Sequence, residues 1–498
     1  MSNIKNYPTM RHSTWQRLLM PVLLVSSLLV SCGKDNPAPT PTPPSPDPGT
    51  PTEVPLKTQR INRFIVEAMR NRYLWNSDLP SEIDITSESD PAALFKRLRN
   101  PQDSWSVLSD NVQQTQGEFT NETRSYGYEL TFGKFNNSEN MFAVVLFTYP
   151  DSPAAKAGIK RGDIFIRVNN MEITMSTYMN LFRFPNVSLQ YGHLEGNTIY
   201  PATQTTILTG TEMYLDPVIA YSVIDRASHK IGYLCYSDFV SKSIGRLEEV
   251  FSTFQQQQVT EIILDLRYNP GGEVSAMAKL SSMLAPKSAV ESHSVLQTRI
   301  YNKEYTEYLR QTGTDVNDYF DPSVAVNLNG LPLYTLTESS TASASESLIL
   351  CLKPYMTVKQ VGSSTAGKYC GGSLFQPAVQ QGGQLVPDPE IGNWVLYLMT
   401  FKTADANGKS ISSSGLYPDI WTSSLTLPEL KLPLGDPLDP FIAKAIASIT
   451  GHSAPARIET KSADPGFTLL RGLTGQPGTR SGWLIDSTVM IPVTGASR

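Results

Sequence analysis

Short apolar runs alternate with helix-like segments over residues 217–450, and this alternation constrains the fold more than any other feature of the chain. The runs have strand length and are bounded by turn residues: IGYLCY (231–236), EIILDLR (261–267), LPLYTLT (331–337) and MTVKQVG (356–362). The helix-like segments between them are residues 243–257, 274–285 and 344–353. This order predicts crossover units around a largely buried sheet, with a closing helix near residues 436–449.

Residues 119–216 have a different character, because strand-like runs predominate there. The runs are YGYELTFG, MFAVVLFTY, DIFIRVN and TIYPATQTTIL. Between the second and the third run, SPAAKAG predicts a short helix with Pro153 in its first turn and Gly158 at its end. A turn at Arg161-Gly162-Asp163 then leads into the next strand, so this region is expected to be a small β-domain.

The pattern of this β-domain resembles a PDZ domain of the bacterial protease type. Tyr126, Gly127 and Tyr128 stand where PDZ domains carry the loop that binds a peptide carboxylate, with Ser125 in place of the usual first glycine. The resemblance implies that a peptide C-terminus adds a strand to an open sheet edge while loop N–H groups hold its carboxylate. A small β-domain without peptide binding is the alternative.

Residues 57–118 predict an N-terminal helical region. Apolar residues recur at helical spacing near its start. A second helix is expected at residues 91–98, with Ser89 or Asp90 as its cap. No chemistry is evident in this region.

The N-terminus indicates export. Residues 1–31 carry basic but no acidic residues, and the apolar run 18–30 is shorter than the roughly 20 residues that a spanning helix needs. This combination is typical of a signal peptide. The run ends at Cys32 and resembles a bacterial lipobox, which implies lipidation of Cys32. An ordinary signal peptide with a coincidental cysteine is the alternative.

Residues 32–56 are rich in proline and poor in apolar side chains, which predicts a stiff tether in polyproline II conformation. The formal net charge is −5, and it becomes more negative when the basic signal segment is removed. An acidic chain argues against a nucleic-acid binder. Four cysteines in so long a chain do not suggest a disulfide scaffold. Residues 451–498 lack periodicity and predict a loose tail.

Two turns carry candidate catalytic side chains. Ser343 lies in TASASE between a strand and an apolar helix, beside backbone N–H groups that stabilise negative charge. Taken alone, a serine at a helix start is more often a cap. Lys368 lies in the AGK turn after the next strand, and a buried lysine acts as a general base when desolvation lowers its pKa. Ser–Lys pairs are a known nucleophile–base arrangement.

A third turn follows the strand 261–267 and contains Gly271 and Gly272. Paired glycines let backbone N–H groups approach a ligand closely, which suits an oxyanion hole. No histidine lies in a GxSxG or HExxH context, and the chain has no P-loop and no GxGxxG sequence.

The order of the signal peptide, tether, helical cap, PDZ-like unit, DLRxNxGG turn, TASASE helix start and AGK turn resembles that of the S41 family, the C-terminal (tail-specific) processing proteases. The resemblance covers roughly residues 57–450. It implies Ser343 as nucleophile and Lys368 as general base, with an oxyanion hole formed by N–H groups of Ala344 and of Gly271 or Gly272. It implies a multidomain α+β fold, with an N-terminal helical region, a PDZ domain over residues 119–216 and a ClpP/crotonase-like α/β catalytic core over residues 217–450. No metal or cofactor is expected.

One position departs from the family pattern. Many members carry a glutamine four residues after the lysine, and here that position is Gly372. Either another polar group holds Lys368 or none does; Gln376 is a weak stand-in. Cys370, beside the lysine, could be oxidised if it is exposed. Glu346 and Glu273 are near the motifs and are interpreted as structural.

Cys235 and Cys351 lie in apolar runs and are expected to be buried thiols. The favoured function is a serine endopeptidase that acts on C-terminal regions of proteins or peptides in the bacterial cell envelope, anchored to the membrane through Cys32. The rival is a catalytically inactive PDZ-bearing lipoprotein that serves as a peptide-binding scaffold. A carbohydrate-binding lipoprotein would explain the anchor and the tether, but not the combination of Ser343, Lys368 and the paired glycines.

Overall fold

A parallel sheet lies at the centre of residues 217–450, as the alternation of strand and helix signals predicts. The computed structural model describes residues 54–455, 466–474 and 484–493. Its helices, in chain order, are α1 (Leu56–Arg72), α2 (Pro91–Leu98), α3 (Val112–Thr120), α4 (Pro153–Lys156), α5 (Tyr178–Leu181), α6 (Ile244–Gln256), α7 (Val274–Leu284), α8 (Lys287–Glu291), α9 (Lys303–Thr312), α10 (Ala344–Leu352) and α11 (Pro440–Thr450).

The strands of the described residues, in chain order, are β1 (Val107–Ser109), β2 (Glu122–Ser125), β3 (Tyr128–Phe135), β4 (Asn140–Thr148), β5 (Ile164–Val168), β6 (Met171–Thr174), β7 (Asn186–Glu195), β8 (Thr198–Thr209), β9 (Thr211–Tyr214), β10 (Val218–Arg226), β11 (His229–Tyr236), β12 (Glu261–Asp265), β13 (Gly272–Glu273), β14 (Val295–Tyr301), β15 (Asn317–Tyr319), β16 (Leu333–Thr337), β17 (Val358–Gly362), β18 (Cys370–Gln381), β19 (Gln384–Pro387), β20 (Val395–Asp405), β21 (Ile420–Trp421), β22 (Phe467–Thr474) and β23 (Leu484–Pro492).

The central sheet has the order β10-β11-β12-β16-β17-β21 and is parallel except for the edge strand β10. Side chains from α6, α7 and α10 pack on one face, and those from α11 and from strands β4 and β5 of the β-domain pack on the other. Both faces are therefore covered, which explains why the strands are continuous apolar runs. In a parallel sheet the loops at the carboxyl ends of the strands share one edge, and the turns with Ser343 and Lys368 both leave from that edge.

A second large sheet was not predicted from the sequence. Its order is β13-β23-β18-β20-β14-β15, with β1 paired to β20 and β19 paired to β18. Helices α1 and α2 pack against one face, and α7 and α10 lie between this sheet and the central one. Strands β18 and β20 are buried along most of their length. A strand that is buried on both faces lacks the period-two alternation that a sequence pattern needs.

The β-domain between residues 119 and 216 contributes most of a seven-stranded sheet of order β22-β3-β4-β6-β5-β7-β8. The short helix expected near residue 153 is α4, and Ser152 caps it by accepting a hydrogen bond from the Ala155 N–H at 3.1 Å. Asp90 caps α2 in the same way, by accepting from the Ala92 N–H at 2.9 Å. Both caps satisfy N–H groups that a helix start leaves without partners.

The prediction of a loose tail after residue 450 is wrong for the described parts of that segment. Residues 467–474 form β22, antiparallel to β3, and residues 484–492 form β23, parallel to β18 and to β13. Both strands add to edges made by distant residues, and a local sequence pattern does not reveal such edges. The predicted signal peptide over residues 1–31, Cys32 and most of the predicted tether lie outside the described residues. Among the helices that the structure describes, none combines the length and the hydropathy that crossing a membrane requires.

A buried ion network fixes the end of β12 to the start of α11. Arg267 is fully buried, donating to both oxygens of Asp265 at 2.9 and 2.6 Å and to Asp439 at 2.9 Å. Asp439 also caps α11 by accepting from the Phe441 N–H at 2.9 Å. The Tyr233 hydroxyl donates to Asp265 at 2.9 Å. The two carboxylates raise the pKa of Arg267 against the opposing effect of its burial, so the cation stays charged.

Loss of one carboxylate from this network should destabilise the fold strongly. Asp439→Asn keeps a side chain that can cap α11, but it removes the negative charge that pairs with the fully buried Arg267. The free energy of unfolding should fall by about 3 kcal/mol, because breaking a buried pair leaves a poorly compensated charge. Urea unfolding followed by circular dichroism measures this change. Asp436→Asn, which alters a partly exposed carboxylate nearby, is the control, and equal losses in the two variants would contradict the prediction.

Candidate active site

The turn between β16 and α10 holds Ser343 in a strained backbone conformation. Its φ is 61° and its ψ is −114°, although it is not glycine. Such a conformation costs on the order of 1–3 kcal/mol and persists only when its surroundings impose it. The Ser343 hydroxyl is buried and donates no hydrogen bond to a described residue. Because Ser343 is the residue before α10, Ala344 contributes one of the first N–H groups of that helix, which have no partner inside it.

The turn between β17 and β18 holds Lys368, which is 1% exposed. Burial lowers the pKa of Lys368 to about 8, although nearby negative groups raise it. Gly367 precedes it with a φ of +79°, and a Cβ there would lie 2.3 Å from the Ser413 carbonyl oxygen. The chain therefore needs glycine in the AGK turn both for its conformation and for its close approach to a neighbour.

One carboxylate joins the two turns. Glu346 Oε2 accepts from the N–H groups of Ser343 at 2.8 Å and of Lys368 at 2.9 Å. Its Oε1 accepts from the Gly367 N–H at 2.8 Å and from the Thr365 hydroxyl at 2.5 Å. Burial raises the pKa of Glu346, while these four hydrogen bonds oppose that rise. From its place in the sequence, Glu346 is expected only to be a structural residue of the first helical turn; the structure shows that it links the two candidate catalytic segments.

The ammonium group of Lys368 lies in an aromatic pocket that the sequence did not reveal. Its Nζ donates to the Tyr397 hydroxyl at 3.5 Å and lies 5.9 Å from the centre of the Trp105 ring. Tyr397 belongs to β20 and Trp105 to the N-terminal region, in which no chemistry was expected. Asp103 is also close enough for its charge to raise the pKa of Lys368. No motif marks these residues, because they come from parts of the chain far from the AGK turn.

The missing glutamine has a steric explanation. A Cβ at Gly372 would lie 2.2 Å from the Leu398 carbonyl oxygen, so β18 and β20 approach too closely there for any side chain. Gln376 is not a substitute, because its Nε2 donates to the Gly392 carbonyl at 2.7 Å. The Tyr397 hydroxyl accepts a hydrogen bond from Lys368 Nζ in this arrangement.

The paired-glycine turn lies against the turn that holds Ser343. The Asn269 carbonyl accepts from the Ala342 N–H at 3.2 Å and from the Ser345 hydroxyl at 3.1 Å. The Gly271 N–H donates to Asn269 Oδ1 at 2.9 Å, so it is already engaged in this arrangement. Gly272 has a φ of +134°, and a Cβ there would lie 2.2 Å from the Phe239 carbonyl oxygen. The structure thus brings Gly271, Gly272 and Ala344 into adjoining turns, as the oxyanion-hole prediction requires. The Gly271 N–H, however, already donates to Asn269 Oδ1.

The predicted carboxylate-binding loop of the β-domain is closely packed. The Gly127 N–H donates to the Ser125 hydroxyl at 3.0 Å, and the Ser152 hydroxyl donates to the Gly127 carbonyl at 3.0 Å. Tyr126 and Tyr128 are both buried. Ser125, which replaces the usual first glycine, therefore accepts a hydrogen bond from the Gly127 N–H, the group that a peptide carboxylate would need.

The three cysteines among the described residues are buried free thiols. This confirms the expectation for Cys235 and Cys351. Burial raises the pKa of Cys370 to about 12, and its side chain is not exposed, so the condition set for its oxidation is not met. Within the described part of the chain, no group of three or more His, Cys, Asp or Glu side chains is arranged to hold a metal ion.

Two family descriptions match this chain. "Peptidase family S41" matches residues 230–422, which include all three turns of the site, and "Peptidase S41 N-terminal domain" matches residues 60–107, which include Asp103 and Trp105. The chain carries peptidase family S41 domains. The resemblance inferred from the motifs is therefore confirmed, and the N-terminal helical region is part of it.

Individual relatives agree with this assignment. A carboxy-terminal-processing protease of Bartonella bacilliformis is 26% identical over 62% of this chain and 63% of its own length. The carboxy-terminal processing protease CtpB of Bacillus subtilis is 24% identical over 78% of this chain and 72% of its own length. The chain thus spans less than two thirds of the length of the Bartonella bacilliformis relative. A crystal structure of a candidate S41 protease from Bacteroides fragilis has a TM-score of 0.64 at 26% identity, covering 78% of this chain and 97% of that one.

The charge state of Lys368 can be measured directly. Its pKa should lie near 8 in the folded protein, whereas exposed lysines titrate near 10.4. Glu346→Gln should lower the pKa of Lys368 further, because the negative charge of Glu346 raises it. Carbon NMR of the protein with labelled lysine side chains would follow the titration, and Lys368→Arg would assign the signal. A midpoint near 10, or a rise in the Glu346→Gln variant, would contradict this electrostatic description.

Proposed function

We propose that the chain is a serine peptidase in which Ser343 is the nucleophile and Lys368 the general base. The observation that carries this proposal is the buried Glu346 carboxylate, which binds the backbone N–H groups of both residues. A carboxylate with no other task than capping α10 would not need donors from the AGK turn.

Each part of the site suits one step of acyl transfer. Neutral Lys368 accepts the Ser343 hydroxyl proton as the oxygen attacks the scissile carbonyl, and the resulting ammonium returns the proton to the leaving amine. Desolvation favours the neutral form of Lys368 near pH 8. The N–H groups of Ala344 and Gly272 would bind the oxyanion. Before the attack, Nζ must turn from Tyr397 towards Ser343, which is a usual adjustment when a substrate binds.

The names of the relatives suggest the substrate class. Proteins called carboxy-terminal processing proteases support the proposal that this chain cleaves proteins near their C-termini. The β-domain would act as a PDZ domain by adding the substrate tail to a sheet edge. For such binding, the Gly127 N–H must leave the Ser125 hydroxyl so that it can meet the carboxylate.

One observation favours the rival function. The Ser343 hydroxyl donates no hydrogen bond to a described residue, so it is not activated by Lys368 in this arrangement. A peptide-binding scaffold without catalytic activity would show this geometry permanently. A peptidase would show it only until a substrate is bound.

Hydrolysis of an unstructured protein with an apolar C-terminus distinguishes the two functions. Ser343→Ala and Lys368→Ala should each lower kcat/KM by at least about 1,000-fold, because the nucleophile and its base act as a unit. For the intact protein, kcat/KM should rise with pH through about 8, as Lys368 becomes neutral. Ser347→Ala, one turn further along α10, is the control and should leave the rate nearly unchanged. Cleavage by the Ser343→Ala variant at the same rate as by the intact protein would refute the peptidase.

We further propose that the protein is held at a membrane of the bacterial cell envelope by a lipid on Cys32. The apolar run that ends at Cys32 and the proline-rich tether support this proposal. A fatty-acid label should enter the full-length protein in a bacterial host, and Cys32→Ala should abolish labelling and move the protein to the soluble fraction. Cys351→Ala alters a buried thiol and should change neither the fatty-acid labelling nor the fraction in which the protein is found. A labelled Cys32→Ala protein would contradict the anchor.

A further inference from the structure

The C-terminal strand β23 lies between two parts of the candidate active site. In the second sheet it separates β13 from β18. Leu484 pairs with Gly272 of the paired-glycine turn, and Ile485 pairs with Gly372, close after Lys368. The first residues of β23 therefore fill the gap between the glycine turn and the strand that begins just beyond the general base. We call the gap between β13 and β18 the β23 slot.

Strand β23 is held in this slot by both polar and apolar contacts. It pairs with β18 from Ile485 to Pro492. Val489 and Ile491 pack against the apolar cluster under α1 and α2, and Val493 is buried there. Asp486 forms an ion pair with Arg299 of β14 at 2.5 Å. The slot thus accepts an extended apolar segment with an acidic residue near its beginning.

The preceding strand, β22, covers a second edge that a peptide could use. It is antiparallel to β3, with Phe467 opposite Phe135 and Leu470 opposite Phe132. Along β22 the chain therefore runs towards the start of β3 and the predicted carboxylate-binding loop at residues 125–128. A substrate tail bound by strand addition to β3 would run in this direction, because its carboxylate must reach that loop.

We propose that the chain's own residues 466–474 and 484–493 are the resident occupants of the two peptide-accepting edges, and that they exclude substrate until they leave. This inference rests on the proposed function, since it concerns the peptide sites of the same peptidase. An edge strand accepts one partner along its free side, so β23 and a substrate strand compete for β18, and β22 and a substrate tail compete for β3. The class of ligand is an extended peptide, and in this structure the chain supplies it.

The test begins with the full chain, in which a recognition site for a sequence-specific protease replaces part of residues 456–465. Cutting this folded protein and separating residues 466–498 should raise the hydrolysis rate of the unstructured reporter protein about tenfold or more, because the competent state no longer has to displace its own strands. A synthetic peptide of residues 484–493 should restore the low rate. A peptide with Asp486→Arg is the matched control and should inhibit about tenfold less, because its charge faces Arg299.

A second measurement does not depend on catalysis. The labelled peptide 484–493 should bind the cut Ser343→Ala protein and should not bind the uncut one, in which the slot is filled. If the cut protein does not stay folded, the intact Asp486→Arg variant replaces it. This variant should hydrolyse the reporter faster than the wild type, while Asp225→Arg, an exposed change on β10, should not.

The outcomes separate the two proposals. An unchanged hydrolysis rate after cutting of a protein that stays folded, or equal peptide binding to cut and uncut protein, would overturn the proposal that β22 and β23 occupy the peptide-accepting edges. Peptide binding to the cut protein only, with no hydrolysis in either state, would establish the occupant and refute the peptidase.

Discussion

The site depends on one buried carboxylate. Glu346 is fully buried and accepts four hydrogen bonds from the segments that carry Ser343 and Lys368. A buried charge without donors would cost several kcal/mol, so the two turns cannot separate without a large penalty. An ionised carboxylate accepts hydrogen bonds and donates none, and all four partners of Glu346 are donors. The same negative charge raises the pKa of Lys368 and moderates the effect of its burial.

The frame around this carboxylate comes from two sheets and not from the central sheet alone. The central sheet supplies the turns, and Arg267 with its two carboxylates fixes the end of β12 to the start of α11. The second sheet supplies Tyr397, and the N-terminal region adds Trp105 and Asp103. All three regions contribute to the burial of Lys368. The N-terminal region therefore helps to set the electrostatics of Lys368, although it carries none of the recognised motifs.

The sequence predicted the features that local patterns encode. The parallel sheet follows from apolar runs between turns, and the turns of Ser343, Lys368 and the paired glycines follow from motifs within a few residues of each. The sequence position of Glu346 does not reveal its bridging role, because three of its four donors lie on another turn. Trp105 and Tyr397 reach Lys368 from distant segments. Strands β18 and β20 were missed because burial on both faces removes alternation, and β22 and β23 were missed because their edges are made elsewhere in the chain.

The resting geometry and the internal strands point to the same constraint. Ser343 is strained, its hydroxyl donates no hydrogen bond to a described residue, and Lys368 Nζ faces Tyr397. Strand β23 is paired to Gly372, on the strand that leads directly from Lys368, and to Gly272 on the opposite side. Any departure of β23 frees β13 and β18 at once, and these two strands border the proposed oxyanion site and the proposed general base. A mechanism that replaced β23 by a substrate strand would therefore change the surroundings of Lys368 at the moment of binding, so that alignment of the dyad and occupancy by substrate become a single event.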